Sequence, residues 1–219
     1  MGIYSHWIWR LDQRSLIIYF ERWRPNSSTS IQQYQLGKEI LITPHQTNKA
    51  SFVDIAIILG SSRNDGNTHK LVKLFMQHRS ADLFNLCDYS ISGFDYEHKN
   101  KKDDFLGIVK KLSQYDHLIF ASPVYWYSMS APMKTFFDRL SDLLTIEKNL
   151  GRALKGKSCS ILCTGSGTEL PNSFVTPFEL TANYLGMTFS DALYCACKQD
   201  FTTHEHIDQV TAYLNTHFS

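Results

Sequence analysis

Residues 52–78, "FVDIAIILGSSRNDGNTHKLVKLFMQH", decide the fold. Residues 52–59 are apolar but for one Asp and rich in Ile and Val, as in a strand covered on both faces. Residues 60–68 follow as hydroxyls, amides, one Arg, one Asp and two glycines. Apolar residues then recur at helical spacing over 67–79. Strand, polar loop and helix make the first half of a βαβ unit. A helix beginning near Asn67 turns unpaired N–H groups and a positive dipole end toward the loop, which makes that loop a candidate anion site.

The same alternation continues. Further strand-like runs lie at 81–86, 117–122, 158–164 and 187–196, and helical patterns at 102–115, 130–145, 173–185 and 204–217. Within 130–145, Met133, Phe136, Phe137, Leu140, Leu143 and Leu144 share one helix face. Ser130 stands where a cap belongs, and Pro132 falls in the first turn, where a missing N–H is harmless. Five strands alternating with helices predict one α/β, doubly wound domain over 51–219, with a parallel sheet covered on both faces. In such a sheet ligands gather beyond the carboxyl ends of the strands.

Composition fits this reading. The 219 residues are 43% hydrophobic and 20% charged, with a formal net charge of +1. No overall field therefore favours nucleic acid, and no apolar run reaches the roughly 20 residues that span a bilayer. Residues 1–50 carry a net +3 and lack the long apolar core of a secretory signal; they read either as a poorly ordered N-terminal extension or as an amphipathic segment that docks on the body or on a partner. Cys87, Cys159, Cys163, Cys195 and Cys197 read as reduced thiols, which predicts a cytoplasmic protein. The sequence Cys195-Ala-Cys197 with His204 and His206 has the residue types of a zinc site. On a strand, however, the cysteines simply share a face, and no metal is expected. Lys99 to Lys102 with Asp103 and Asp104 read as a solvated helix start.

Three loops carry the chemistry. The first does not match a P-loop: Gly60 and Gly66 stand six apart, and Asn67-Thr68 replaces the required Lys-Ser/Thr. A three-glycine dinucleotide fingerprint, a cysteine followed six residues on by Arg, and a G-x-S-x-G elbow are also missing. What remains is a phosphate monoester gripped by hydroxyls and backbone. The loop after the third strand, "SPVYWYSMSAPMK", sets three consecutive aromatics at a strand end, a wall for a flat ligand or a subunit interface. The loop after the fourth, "TGSGT" at 164–168, is small enough for close backbone approach. Together they suggest a flavin mononucleotide.

The segments "GSSRNDGNT" and "PVYWYSMSAPMKTFFDRL", with "GRALKGK" and "PFELTANYLGM", resemble the NAD(P)H-dependent FMN reductase and quinone reductase group of flavodoxin-like proteins over about residues 52–219. The resemblance implies a five-stranded sheet of order 2-1-3-4-5 and a homodimer or homotetramer. It places FMN phosphate on Ser61, Arg63, Asn67 and Thr68, and the ring against Pro123, Val124, Tyr125, Trp126, Thr164, Gly165 and Ser166. It implies hydride transfer from NAD(P)H through flavin N5 to a small acceptor (quinone, flavin, nitro or azo compound), in ping-pong fashion. No side chain is then strictly required as acid or base. A subgroup with an iron–sulfur cluster has clustered cysteines after strand two, where this chain has Cys87 alone. The alternative is a flavodoxin-type electron carrier serving protein partners. Such carriers tend to be strongly acidic, whereas residues 51–219 carry only −2.

Overall fold

The computed structural model describes residues 53–218 and, within the first fifty, the backbone of two strands. The chain divides into two units, Met1–Thr47 and Asn48–Ser219. In the first, β1 (Trp7–Leu11) pairs antiparallel with β2 (Ile18–Arg22), with Trp7 opposite Arg22. Both readings of the rest of the extension concern residues outside those described.

In the second unit β3 (Ile55–Leu59), β4 (Asp82–Asn85), β5 (His117–Pro123), β6 (Ser158–Gly165) and β7 (Thr188–Ala196) form one sheet. Its order is β4-β3-β5-β6-β7 and every pairing is parallel, which is the predicted 2-1-3-4-5 arrangement. The apolar run of β3 has its cause here. Ile55, Ile57 and Leu59 pack under α1 (Asn67–His78) and α7 (Thr203–His217). Ala56 and Ile58 pack on the other face under α2 (Phe105–Leu112), α3 (Ala131–Arg139) and α6 (Asn172–Tyr184). Each fully buried Ile or Leu contributes about 1.5–3 kcal/mol relative to exposure.

Two helices depart from the sequence pattern. The expected 130–145 helix breaks after Arg139 and resumes as α4 (Asp142–Thr145). Between them Leu140 N–H donates to Phe137 C=O and Ser141 N–H to Asp138 C=O, three-residue bonds that tighten the turn. A further helix, α5 (Lys148–Leu154), was hidden by Gly151 at its centre. A Cβ there would stand 2.6 Å from the Leu143 carbonyl oxygen, so the α4–α5 corner requires glycine.

The solvated helix start proposed for Asp103 is corrected. Arg139 is fully buried; its Nη1 and Nη2 donate to Asp103 and its Nε donates to Asp142 Oδ2 at 2.9 Å. Nη1 also donates to Ser92 C=O, and His98 Nδ1 lies 2.9 Å from Asp142 Oδ1. Desolvation alone would raise the Asp103 carboxyl, but hydrogen bonds from Arg139 and the N–H groups of Ser92 and Phe105 hold it below the usual range. The 92–103 segment is thereby fastened to α3. A second buried polar group, His117, sits between Ser158 Oγ (2.7 Å) and Ser160 Oγ (2.8 Å).

Replacing Arg139 with Leu leaves two carboxylates without their partner and should destabilise the domain by about 3–5 kcal/mol in urea unfolding. A loss below about 1 kcal/mol would mean that the ion pairs are effectively solvated. His117 gives a pH signature. Burial, aided by repulsion from His217, pushes its imidazole down from 6.5 to about 4. The folded state therefore favours the neutral ring. Its stability is complete above pH 6.5 and declines as pH falls toward 4, by about 3 kcal/mol in total. His117→Gln should flatten this part of the stability–pH curve, and an unchanged slope would refute the assignment.

Candidate active site

The loops after β3, β5 and β6 emerge together at the carboxyl edge and are tied to one another. Ser130 caps α3 by accepting from Met133 N–H, and its Oγ donates to Gly60 C=O. Val124 N–H donates to Thr164 C=O at 2.8 Å. The hydroxyls of Thr68 and Thr164 meet at 2.8 Å, both residues being buried. Gly60 admits no side chain, because a Cβ would stand 2.7 Å from Met133 Cβ and 2.9 Å from its backbone N. The start of the first loop and the start of α3 are thus pressed together.

The start of α1 has no side-chain cap, although Asp65 stands just before it and acts electrostatically on His69 in its first turn. The N-cap is Gly66, and no acidic residue lies in the first turn. The Arg63 side chain lies over this end, with Nε and Nη2 at 3.5 and 3.7 Å from where a Gly66 Cβ would stand. A guanidinium added to the positive end of a helix favours an anion from outside. Ser61 closes the loop by donating from Oγ to Arg63 C=O at 3.1 Å. His69, in the first turn, meets Asn64 C=O, and burial followed by repulsion from Lys73 lowers its pKa. The donors present (backbone N–H groups, Arg63 and the Thr68 hydroxyl) fit a phosphate monoester.

The second loop is a two-residue hairpin. Tyr125 and Ser128 exchange N–H···O=C bonds of 2.9 and 3.0 Å, while Trp126 and Tyr127 between them have φ of 48° and 64°. Such a turn normally recruits Asn-Gly. Holding two bulky aromatics in the left-handed region costs about 1–2 kcal/mol each. Burial does not repay it, since Trp126 is 94% exposed and Tyr127 66%. The turn displays aromatic surface at a cost in stability.

Of the residues expected at the site, Ser61, Arg63 and Thr68 line the first loop, Pro123 to Trp126 the second, and Thr164 to Ser166 the third. Thr164 is buried and Ser166 exposed. Asn67 stands apart, because both ends of its carboxamide bond the 199–201 backbone. Sequence reasoning missed Tyr194, whose hydroxyl donates to Gly167 C=O at 2.6 Å and pins the third loop. It also missed Asn85 and Cys87, which hold the first loop from the side. None of these has a local motif; only the sheet order brings them there. Cys197 Sγ lies 3.7 Å from His206 Nε2, and among the described residues no group of His, Cys, Asp and Glu could hold a metal.

Comparison with known proteins bears on the family and the fold. The family model described as NADPH-dependent FMN reductase matches residues 53–200. A Bacillus subtilis (strain 168) protein, provisionally named an NAD(P)H-dependent FMN-containing oxidoreductase, is 30% identical over 147 residues, 62% of this chain and 80% of its own. The structure of the Trp repressor binding protein from Bacillus subtilis superposes with a TM-score of 0.59 at 23% identity, over 73% of this chain and 94% of that one. The FMN-dependent NADH-azoreductase of Bacillus anthracis, solved in complex with FMN, superposes with a TM-score of 0.53 at 10% identity, over 74% and 97%. These two structural likenesses speak for a shared fold. With its family model matched over more than half its length, the chain belongs to the NADPH-dependent FMN reductase family, FMN-dependent oxidoreductases of flavodoxin-like fold.

Proposed function

We propose that this chain transfers electrons from NAD(P)H to a small acceptor, a quinone, flavin, nitro or azo compound, in a ping-pong scheme. The observation that carries the reading is the uncapped start of α1, topped by Arg63 and tied through Thr68 to the third loop. FMN, when bound, supplies the redox chemistry by accepting hydride and giving up electrons. The protein's part is to bind, orient and expose. Arg63, Thr68 and the first N–H groups of α1 hold the phosphate, and Ser61 keeps the loop closed around it. Pro123, Val124 and Tyr125 wall the ring on one side, and Thr164, Gly165 and Ser166 border it on the other. Trp126 shapes the opening through which both substrates pass. Because they share that opening, they must take turns.

The same reading includes a homodimer or homotetramer, for which exposed Leu180 and Tyr184 on α6 offer apolar surface. The five free thiols suit a reducing compartment such as the cytoplasm.

Arg63→Ala and Thr68→Ala should each weaken FMN roughly 10- to 100-fold, the worth of a charge-assisted hydrogen bond, with the fold retained by circular dichroism. Unchanged titration curves in both would remove the phosphate from this loop. Trp126→Ala should alter the acceptor's KM or kcat more than FMN affinity, because the phosphate grip lies elsewhere. Double-reciprocal plots with NADPH and a small quinone should give parallel lines. Intersecting lines would overturn the ping-pong order, and no NAD(P)H oxidation by the FMN-loaded protein would replace the reductase reading with the carrier.

A further inference from the structure

The first loop is fastened from both flanks by carboxamides. On one side Asn85, the last residue of β4 and buried, donates from Nδ2 to Asn64 Oδ1 at 2.9 Å and accepts Cys87 N–H at 3.3 Å. Cys87 then donates from Sγ to Ser61 C=O at 2.8 Å. On the other side Asn67, the first residue of α1, donates from Nδ2 to Gln199 C=O at 2.9 Å and accepts Phe201 N–H at 3.0 Å. The partners fix the orientation of that amide, since a carbonyl must face NH₂ and an N–H must face oxygen. Lys70 and Asp200 lie 3.8 Å apart along the same seam. The carboxamide of Asn67 is thus occupied by the connection that leaves β7, and its backbone N–H is what the helix start offers an anion.

We propose that Asn85 and Asn67 are positioning residues of the mononucleotide site. They hold the 61–66 loop and the first turn of α1 in their binding shape, and neither carboxamide contacts phosphate. This rests on the FMN reading above. An anion meeting an unclamped loop must order it on arrival, and that entropy is subtracted from affinity. The loss falls on the phosphate alone, because the ring is bordered by other loops. FMN and riboflavin, which differ only by the phosphate, therefore separate the clamp from general stability.

The test titrates flavin-free, full-length protein with FMN and with riboflavin by fluorescence. Wild type is compared with Asn85→Ala, Asn64→Ala, their double variant and Asn67→Ala, with Asn85→Ser and Asn67→Ser added should an alanine variant fold poorly. Asn85→Ala and Asn67→Ala are each expected to weaken FMN roughly 10-fold and to leave riboflavin within about twofold. The double variant should be no weaker than Asn85→Ala alone, because Asn85 acts through Asn64. Amide hydrogen exchange over residues 61–68 should quicken in the flavin-free variants. Weaker FMN with unchanged exchange would make the side chain a direct ligand and overturn the proposal. So would equal weakening of both flavins, or an unchanged FMN-to-riboflavin ratio. Equal affinities for FMN and riboflavin in the wild type would instead sink the phosphate site itself, and the clamp with it.

Discussion

The carboxyl edge depends on the burial of β3. Its five residues are covered on both faces and paired on both sides, so the strand has no freedom to slide or tilt. A register slip by one residue would exchange Ile57 for Ile58 between the two helical layers and misplace every side chain along it. The strand therefore delivers Gly60 to a fixed point, where Ser130 Oγ donates to its carbonyl and Met133 leaves no room for a side chain. From that point the chain goes out through α1 to β4 and returns across β3 to β5. The crevice at this reversal is where an open α/β sheet receives its ligand.

The sheet was legible because its signals are local and repeated. Five apolar runs with helical patterns between them leave few other topologies, and both ends of α1 and α7 fall within about two residues of expectation. What was not legible depends on partners distant in sequence. Asp103 looks like any acid before a helix until α3 brings Arg139 to it, 36 residues later. Asn67 looks like a phosphate ligand in a loop of polar residues, and only the β7–α7 connection, 132 residues away, shows that its carboxamide is engaged. Gly151 reads as a helix breaker because propensity knows nothing of the Leu143 carbonyl beside it.

The aromatic turn is the opposite case. The sequence placed Tyr125, Trp126 and Tyr127 at a strand end, but not their backbone. Two successive residues in the left-handed region would ordinarily be Asn and Gly. Here the strain is imposed by Tyr125–Ser128 pairing and by Ser173 Oγ, which donates to Tyr127 C=O from the start of α6. Glycine at Tyr127 would relieve the second of these two strained positions, and Asn or Gly at Trp126 the first. The presence of that strain beside exposed rings locates the requirement outside the fold, at whatever meets those rings.

Two physically different regions therefore border one crevice. The polar side is over-determined: Ser61, Asn64, Asn67 and Thr68 each have a hydrogen-bonded partner inside the protein, so the loop has its shape before any ligand arrives. Preorganisation of that kind favours tight, selective retention of one group, because little ordering remains to be done on binding. The aromatic side is held through its backbone, by the Tyr125–Ser128 pair and by Ser173 Oγ, and leaves the rings of Trp126 and Tyr127 largely to solvent. Flat faces without fixed hydrogen-bond partners discriminate weakly among flat ligands, since every such ligand presents a similar surface. Under the proposed function, a resident mononucleotide would occupy the first side and exchanging planar substrates the second, a division of labour that matches the physical difference between the two surfaces.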